Sequence, residues 1–187
     1  MPEVTPVSRV VIRGSESPGS TTLARDLARR LGVACVPEYL RVYADRRAAE
    51  VGSIWAVEWT STDFEAVADG QAALEAQAAT DAAARKDTLL VCDNDLLAVA
   101  VWHLRYLGVD APKLAARAVP PHLYVLTAPD GLPFVQDGLR DGEHVRGPMT
   151  EWFRSALADQ PAPWIEAVSD RWARIDQVLA WLDAHPP

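Results

Sequence analysis

The chain has 187 residues, 49% of them apolar, and a formal net charge of −8. That length suits one well-buried domain, residues 1–187, and is short for two. The charge excludes an extended nucleic-acid surface, which is a cationic affair. No segment approaches the roughly eighteen uninterrupted apolar residues of a membrane span.

The N-terminal stretch MPEVTPVSRVVIRG runs into a strand pattern without a charged-then-apolar leader, which predicts a cytoplasmic protein. RVVIRG reads as a first strand and STTLARDLARRLG as a helix closed by Gly32. Between them lies GSESPGSTT. It follows the phosphate-loop pattern G-x-x-x-x-G-K-[ST] except at the lysine, where Ser20 stands. The candidate loop comprises Gly14, Ser15, Glu16, Ser17, Gly19, Ser20, Thr21 and Thr22, and Thr21 is placed to ligate Mg²⁺ through its hydroxyl. The helix N-terminus behind the loop is an anion site in its own right. The plain alternative is a tight strand-to-helix turn.

VACV is a short second strand, and PEYLRVY follows with Glu38, Tyr39 and Arg41. A carboxylate there can bind sugar hydroxyls or accept a proton from one; a surface Glu–Arg pair of little consequence is the competing reading. A long alanine-rich helix spans 62–85, its start marked by a capping box of Thr62 and Glu65. TLLVCD is a third, buried strand that delivers Asp93 and Asp95 to its C-terminal end, where parallel sheets bind ligands. An acidic residue there can hold Mg²⁺ directly or through water. The plain alternative is that Asp95 merely caps the next helix, and the two fit together with one carboxylate at the site and the other capping.

HLYVLT is a fourth strand. The Gly-, Asp- and Arg-rich segment of about 129–147 reads either as a lid carrying Arg140 and Arg146 or as an ordinary charged loop. Pro148 opens a helix, WIEAV is a fifth strand, and DRWARIDQVLAWLDA closes the chain. Five buried strands separated by helices specify an α/β domain with a parallel sheet covered on both faces. Cys35 and Cys92 read as small buried hydrophobes. Trp55 and Trp59 are candidates to line a pocket for an aromatic base.

The ordered set GSESPGSTTLARDLA, PEYLRVY, DFEAVADGQ, VCDNDLLAVAVW and DGLRD resembles the kinase domain of bacterial ribosylnicotinamide kinases and their P-loop relatives. The resemblance implies a five-stranded sheet of order 2-3-1-4-5, with a lid. It also implies ATP and Mg²⁺ as cofactors, and phosphoryl transfer to a ribose hydroxyl of a nucleoside-like small molecule. By matching position it places Glu38, Tyr39, Arg41, Asp63, Gln71 and Asp95 in the acceptor region. Thr21 and Asp93 fall at the metal, and Glu38, Asp93, Asp95, Arg140 and Arg146 in catalytic roles. Two departures touch the donor side: Ser20 removes a cation, and Pro18 removes a backbone N–H. Arg13, Arg140 and Arg146 are the candidate substitutes for the lysine. Two alternatives follow from the same departures: a degenerate kinase that binds a nucleoside or phosphorylated ligand without turnover, and an ATP-independent use of the acceptor pocket.

Overall fold

A computed structural model describes residues 7–16, 19–128 and 143–187. The strands β1 (Ser8–Gly14), β2 (Cys35–Val36), β3 (Leu89–Asp93), β4 (Leu123–Thr127) and β5 (Trp164–Ala167) form one parallel sheet. Its order is β2-β3-β1-β4-β5, as the resemblance implied. Every residue of β3 and β4 is buried, because helices cover both faces. This is why those strands read as continuous apolar runs rather than as alternating patterns.

The helices are α1 (Ser20–Leu31), α2 (Tyr39–Val51), α3 (Ser61–Arg85), α4 (Leu96–Leu107), α5 (Pro112–Ala115), α6 (Arg146–Ala158) and α7 (Arg171–Ala184). On α1, Leu23, Ala24, Leu27 and Ala28 recur at helical spacing and are all buried. With Ile175, Val178 and Leu182 of α7 they cover Val10 and Ile12 of β1. The opposite face receives α3, α4 and α6 through Phe64, Val67, Leu97, Val101 and Phe153. Among the described residues no helix is long and apolar enough to cross a membrane.

Three boundaries differ from the sequence reading. Strand β2 contains only Cys35 and Val36 of VACV, and Cys35 is partly exposed while Cys92 is buried. The capping box of α3 is Thr60 with Asp63, not Thr62 with Glu65. Asp63 also accepts from Tyr43 Oη and Arg47 Nη1, both at 2.8 Å, so contacts from α2 fix the register of the box. Helix α6 starts at Arg146, before Pro148, which the first turn tolerates because its N–H groups have no partner within the helix.

Candidate functional site

The strand ends Gly14, Asp93 and Thr127 lie together at the C-terminal edge of the sheet. Parallel pairing sets Ile12 beside Asp93 and Gly14 beside Thr127. The Asn94 N–H donates to Ile12 O at 2.8 Å, and Thr127 Oγ1 donates to Arg13 O at 3.0 Å. These bonds hold the last turns of three strands in register at the place where open parallel sheets bind ligands.

From that edge the loop leaves with Ser15 and Glu16, both buried. Ser17 and Pro18 lie outside the described residues. Gly19 has φ 82, a left-handed backbone that suits glycine, and it caps α1 without a side-chain bond. Ser20 is the first residue of α1 and nearly buried; Thr21 is partly exposed and Thr22 exposed. The amides of that first turn are anion donors by position, but the side chain at Ser20 is neutral. On the far side of the loop, the Thr150 hydroxyl donates to Arg146 O at 2.8 Å and lies 3.2 Å from Ser15 Oγ. The first turn of α6, with Arg146, is therefore set against the phosphate-loop side. Arg140 lies outside the described residues.

Glu38 ends the β2 crossover and Asp93 ends β3. The Asn94 side chain between them donates from Nδ2 to Glu38 Oε1 at 2.6 Å. Asn94 has φ 69, a conformation that Asn tolerates and a β-branched residue does not, and this turn separates the two aspartates. Desolvation first, then the neighbouring Asp93 charge, push the Glu38 carboxyl up to about 8, against the pull of Arg41. Burial also raises Asp93, although the Thr21 hydroxyl donates to it. Glu16 adds negative charge near Glu38. Thr21, Asp93, Asn94, Glu38 and Arg41 thus form one connected constellation. Asn94 was not singled out as a site residue in the sequence; its place between two aspartates at a strand end was the available signal.

The other sequence candidates are committed elsewhere. Asp95 caps α4, accepting from the N–H groups of Leu97 and Ala98 at 3.1 and 3.2 Å, and pairs with Arg13 Nη2 at 2.6 Å. Arg13 is fully buried, with its guanidinium 4.1 Å from the centre of the Tyr124 ring. It is therefore held by Asp95 rather than aimed at the phosphate loop. Asp63 receives Tyr43, Arg47 and the Thr60 amide and hydroxyl, and sits at the start of α3. Gln71 is buried, accepts the Tyr39 N–H at 2.9 Å and donates to Glu75 at 3.1 Å. It therefore positions the start of α2. The ring of Tyr39 lies so close to Gly70 that an added Cβ would fall 2.0 Å from Tyr39 Cε1, which is why α3 has glycine there. Trp59 stacks among Tyr43, Phe64 and Tyr106, whereas Trp55 is exposed.

Asp93 Oδ1 is buried without a hydrogen-bond partner, beside the Thr21 hydroxyl. Among the described residues no three His, Cys, Asp or Glu side chains converge as a complete protein cage. One carboxylate and one hydroxyl fit Mg²⁺, which takes few protein ligands and fills its octahedron with water and phosphate oxygens.

Among solved structures, the chain is similar to the NadR protein in complex with NR. The identity is 21% and the TM-score 0.72, over 94% of this chain and 51% of that one. It also resembles the deoxyadenosine kinase of M. mycoides with the products dCMP and a flexible dCDP bound. There the identity is 12% and the TM-score 0.63, over 94% of this chain and 99% of that one. Thymidylate kinase from Ehrlichia chaffeensis matches at 13% identity and a TM-score of 0.65, over 95% and 100% of the two chains. The chain thus has the P-loop nucleoside-kinase fold and spans about half the length of the NadR protein. No curated protein sequence matches it. Residues 9–174 match the AAA domain family, and the chain belongs to that family of P-loop proteins.

Proposed function

We propose that the chain is an ATP-dependent phosphotransferase acting on a hydroxyl of a nucleoside-like small molecule. The observation that carries this reading is the linked set Thr21–Asp93–Asn94–Glu38 at the strand edge. It joins a metal position to a carboxylate on the acceptor side. In this reading the amides of the loop 14–22 and of the first turn of α1 hold the donor phosphates. Thr21 and Asp93 hold Mg²⁺, which neutralises phosphate charge when bound. Glu38 accepts the proton of the acceptor hydroxyl, and Tyr39 and Arg41 orient the acceptor. The cation missing at Ser20 comes from Arg146, whose helix turn abuts the loop, or from Arg140 in the lid segment. Arg13, locked to Asp95, is not available for that role.

A second reading is favoured by one observation. The one arginine at the loop end of β1, Arg13, is paired with Asp95, so β1 supplies no cation in place of the missing lysine. In that reading the fold binds a nucleoside or a phosphorylated ligand without transfer. Calorimetric titration of ATP·Mg²⁺ beside a panel of nucleosides separates the two. ATP binding with product formation supports the kinase; nucleoside binding with no ATP response removes it. Glu38→Gln should lower turnover by roughly 10²–10⁴-fold if Glu38 is the base. Ser20→Lys should strengthen ATP binding in a degenerate site and leave turnover unchanged or reduced where an arginine already serves.

A further inference from the structure

Away from the phosphate loop, a serine and a histidine from different helices meet in a fixed arrangement. Ser61 opens α3 and is exposed; His103, on α4, is 4% exposed. His103 Nε2 lies 2.9 Å from Ser61 Oγ, and His103 Nδ1 lies 2.9 Å from Val109 O. A carbonyl oxygen only accepts, so Nδ1 carries the proton. The lone pair of the neutral ring is then at Nε2, and the Ser61 hydroxyl donates to it. Phe64 meets the imidazole edge-on with ring centres 5.4 Å apart, which fixes the ring plane. A nucleophile, a base aimed at it and a group that orients the base are the parts of an acyl-transfer centre.

We propose that Ser61 and His103 form a second centre, independent of nucleotide, at which Ser61 takes an acyl group from small carboxylic esters. Ser61 Oγ attacks the ester carbonyl carbon while its proton passes to His103 Nε2. The bond to the leaving oxygen breaks, and the imidazolium gives its proton to a leaving alkoxide or, where a phenolate leaves without it, to solvent. Water then attacks the acyl-serine, giving its proton to the neutral His103, which returns it to Ser61 Oγ as the acid departs and Ser61 is restored. The Thr62 amide lies in the first turn of α3, where an N–H has no intrahelical acceptor and is a donor available to a developing oxyanion. Trp59 and Tyr106, partly buried with ring centres 5.2 Å apart, give an apolar wall for the acyl or aryl group. Along α3, Ser61 is about 15 Å from Gln71, which braces α2 beside the phosphate site.

The test uses p-nitrophenyl acetate with the whole protein, following p-nitrophenolate release and locating the acetyl group by peptide mass spectrometry. Acetylation of Ser61 is expected. Ser61→Ala, which removes the nucleophile and takes from His103 Nε2 its hydroxyl partner, should abolish it while the protein stays folded by circular dichroism. His103→Gln retains a side-chain N–H for Val109 O but has no base, and should slow acetylation by roughly 10²–10⁴-fold. No acetylation of wild type, acetylation confined to Lys86 or Lys113, or a wild-type rate in Ser61→Ala would each overturn the proposal.

Discussion

Along β1, Val10 and Ile12 point toward α1 and α7, into a cluster of Leu, Val, Ile and Ala side chains. Arg9 and Arg13, on the same strand, point with Val11 toward α3, α4 and α6, where they pair with Glu75 and Asp95. One face is held by removing apolar area from water. The other holds two ion pairs under its helices, each of which must be satisfied internally. The difference extends to the strand end. Asp93 continues the parity of Leu89 and Val91 and turns toward Thr21 on the α1 side. Asp95, two residues later and past the left-handed Asn94, turns to Arg13. Two carboxylates that look equivalent in sequence thus serve different ends: Asp93 remains on the phosphate-loop side, while Asp95 is neutralised.

The strongest way to break this contrast is to remove one member of the buried pair. Arg13→Met leaves Asp95 charged and unpaired beneath α4 and should cost about 3–5 kcal/mol in urea denaturation. Asp95→Asn keeps a capping side chain but strands the Arg13 charge, so it too should be severe. The double variant should lose clearly less than the sum of the singles, since no isolated charge remains. Additive losses would show that the two groups are not coupled. On the apolar face, Ile12→Val removes one methylene from an equally buried site and should cost only about 0.5–1.5 kcal/mol. A cost equal to that of Arg13→Met would erase the distinction between the faces.

A smaller effect separates the faces by its sign with pH. Asp26, on α1, is held below the ordinary carboxylate range chiefly by Arg171 of α7. Its stabilisation is complete above that range and is lost as pH falls through the lowered value. Glu75, on the buried face of α3, is raised by burial despite Arg9. The folded state keeps its proton longer, so stability declines as pH rises from the ordinary glutamate value to the raised one. Asp26→Asn should therefore flatten the acid limb of a stability–pH curve, and Glu75→Gln should remove the decline above it. Identical slopes in wild type and Glu75→Gln would mean that Glu75 titrates alike folded and unfolded.

Much of this architecture is legible in the chain itself. The five strands stand out because burial on both faces makes them short apolar runs, and the helix ends at Gly32 and Asp95 carry ordinary capping residues. The loop from Gly14 and the placement of Asp93 at a strand end follow from local pattern alone. What stays hidden is pairing over long sequence separation. Arg13 reads as a loop cation until Asp95, 82 residues away, is seen to hold it, although its parity with Val11 already pointed it into the sheet's packed face. Asp63 and Gln71 carry polar side chains on a helix near the site, yet their partners Tyr43, Arg47 and the Tyr39 amide come from α2. The Ser61–His103 contact likewise joins helices whose crossing no local signal encodes.

The last comparison sets like chemistry in unlike surroundings. Arg117 and Asp69 pair at 2.6 Å, the same separation as Arg13 and Asp95, on the same side of the sheet. Their side chains remain 39% and 71% exposed, against 0% and 1% for the buried pair. Water solvates both exposed ions when the contact opens, and holding two long side chains in one geometry costs entropy, so the net gain is about 0–1 kcal/mol. Salt weakens even that, because such charges are screened over roughly 8–10 Å at physiological ionic strength. Arg117→Ala should therefore shift the urea midpoint slightly in dilute buffer and not measurably at high salt. Arg13→Met should stay costly in both, since solvent ions do not reach its partner. If the Arg117 and Arg13 variants respond alike to salt, burial is not what separates the two pairs.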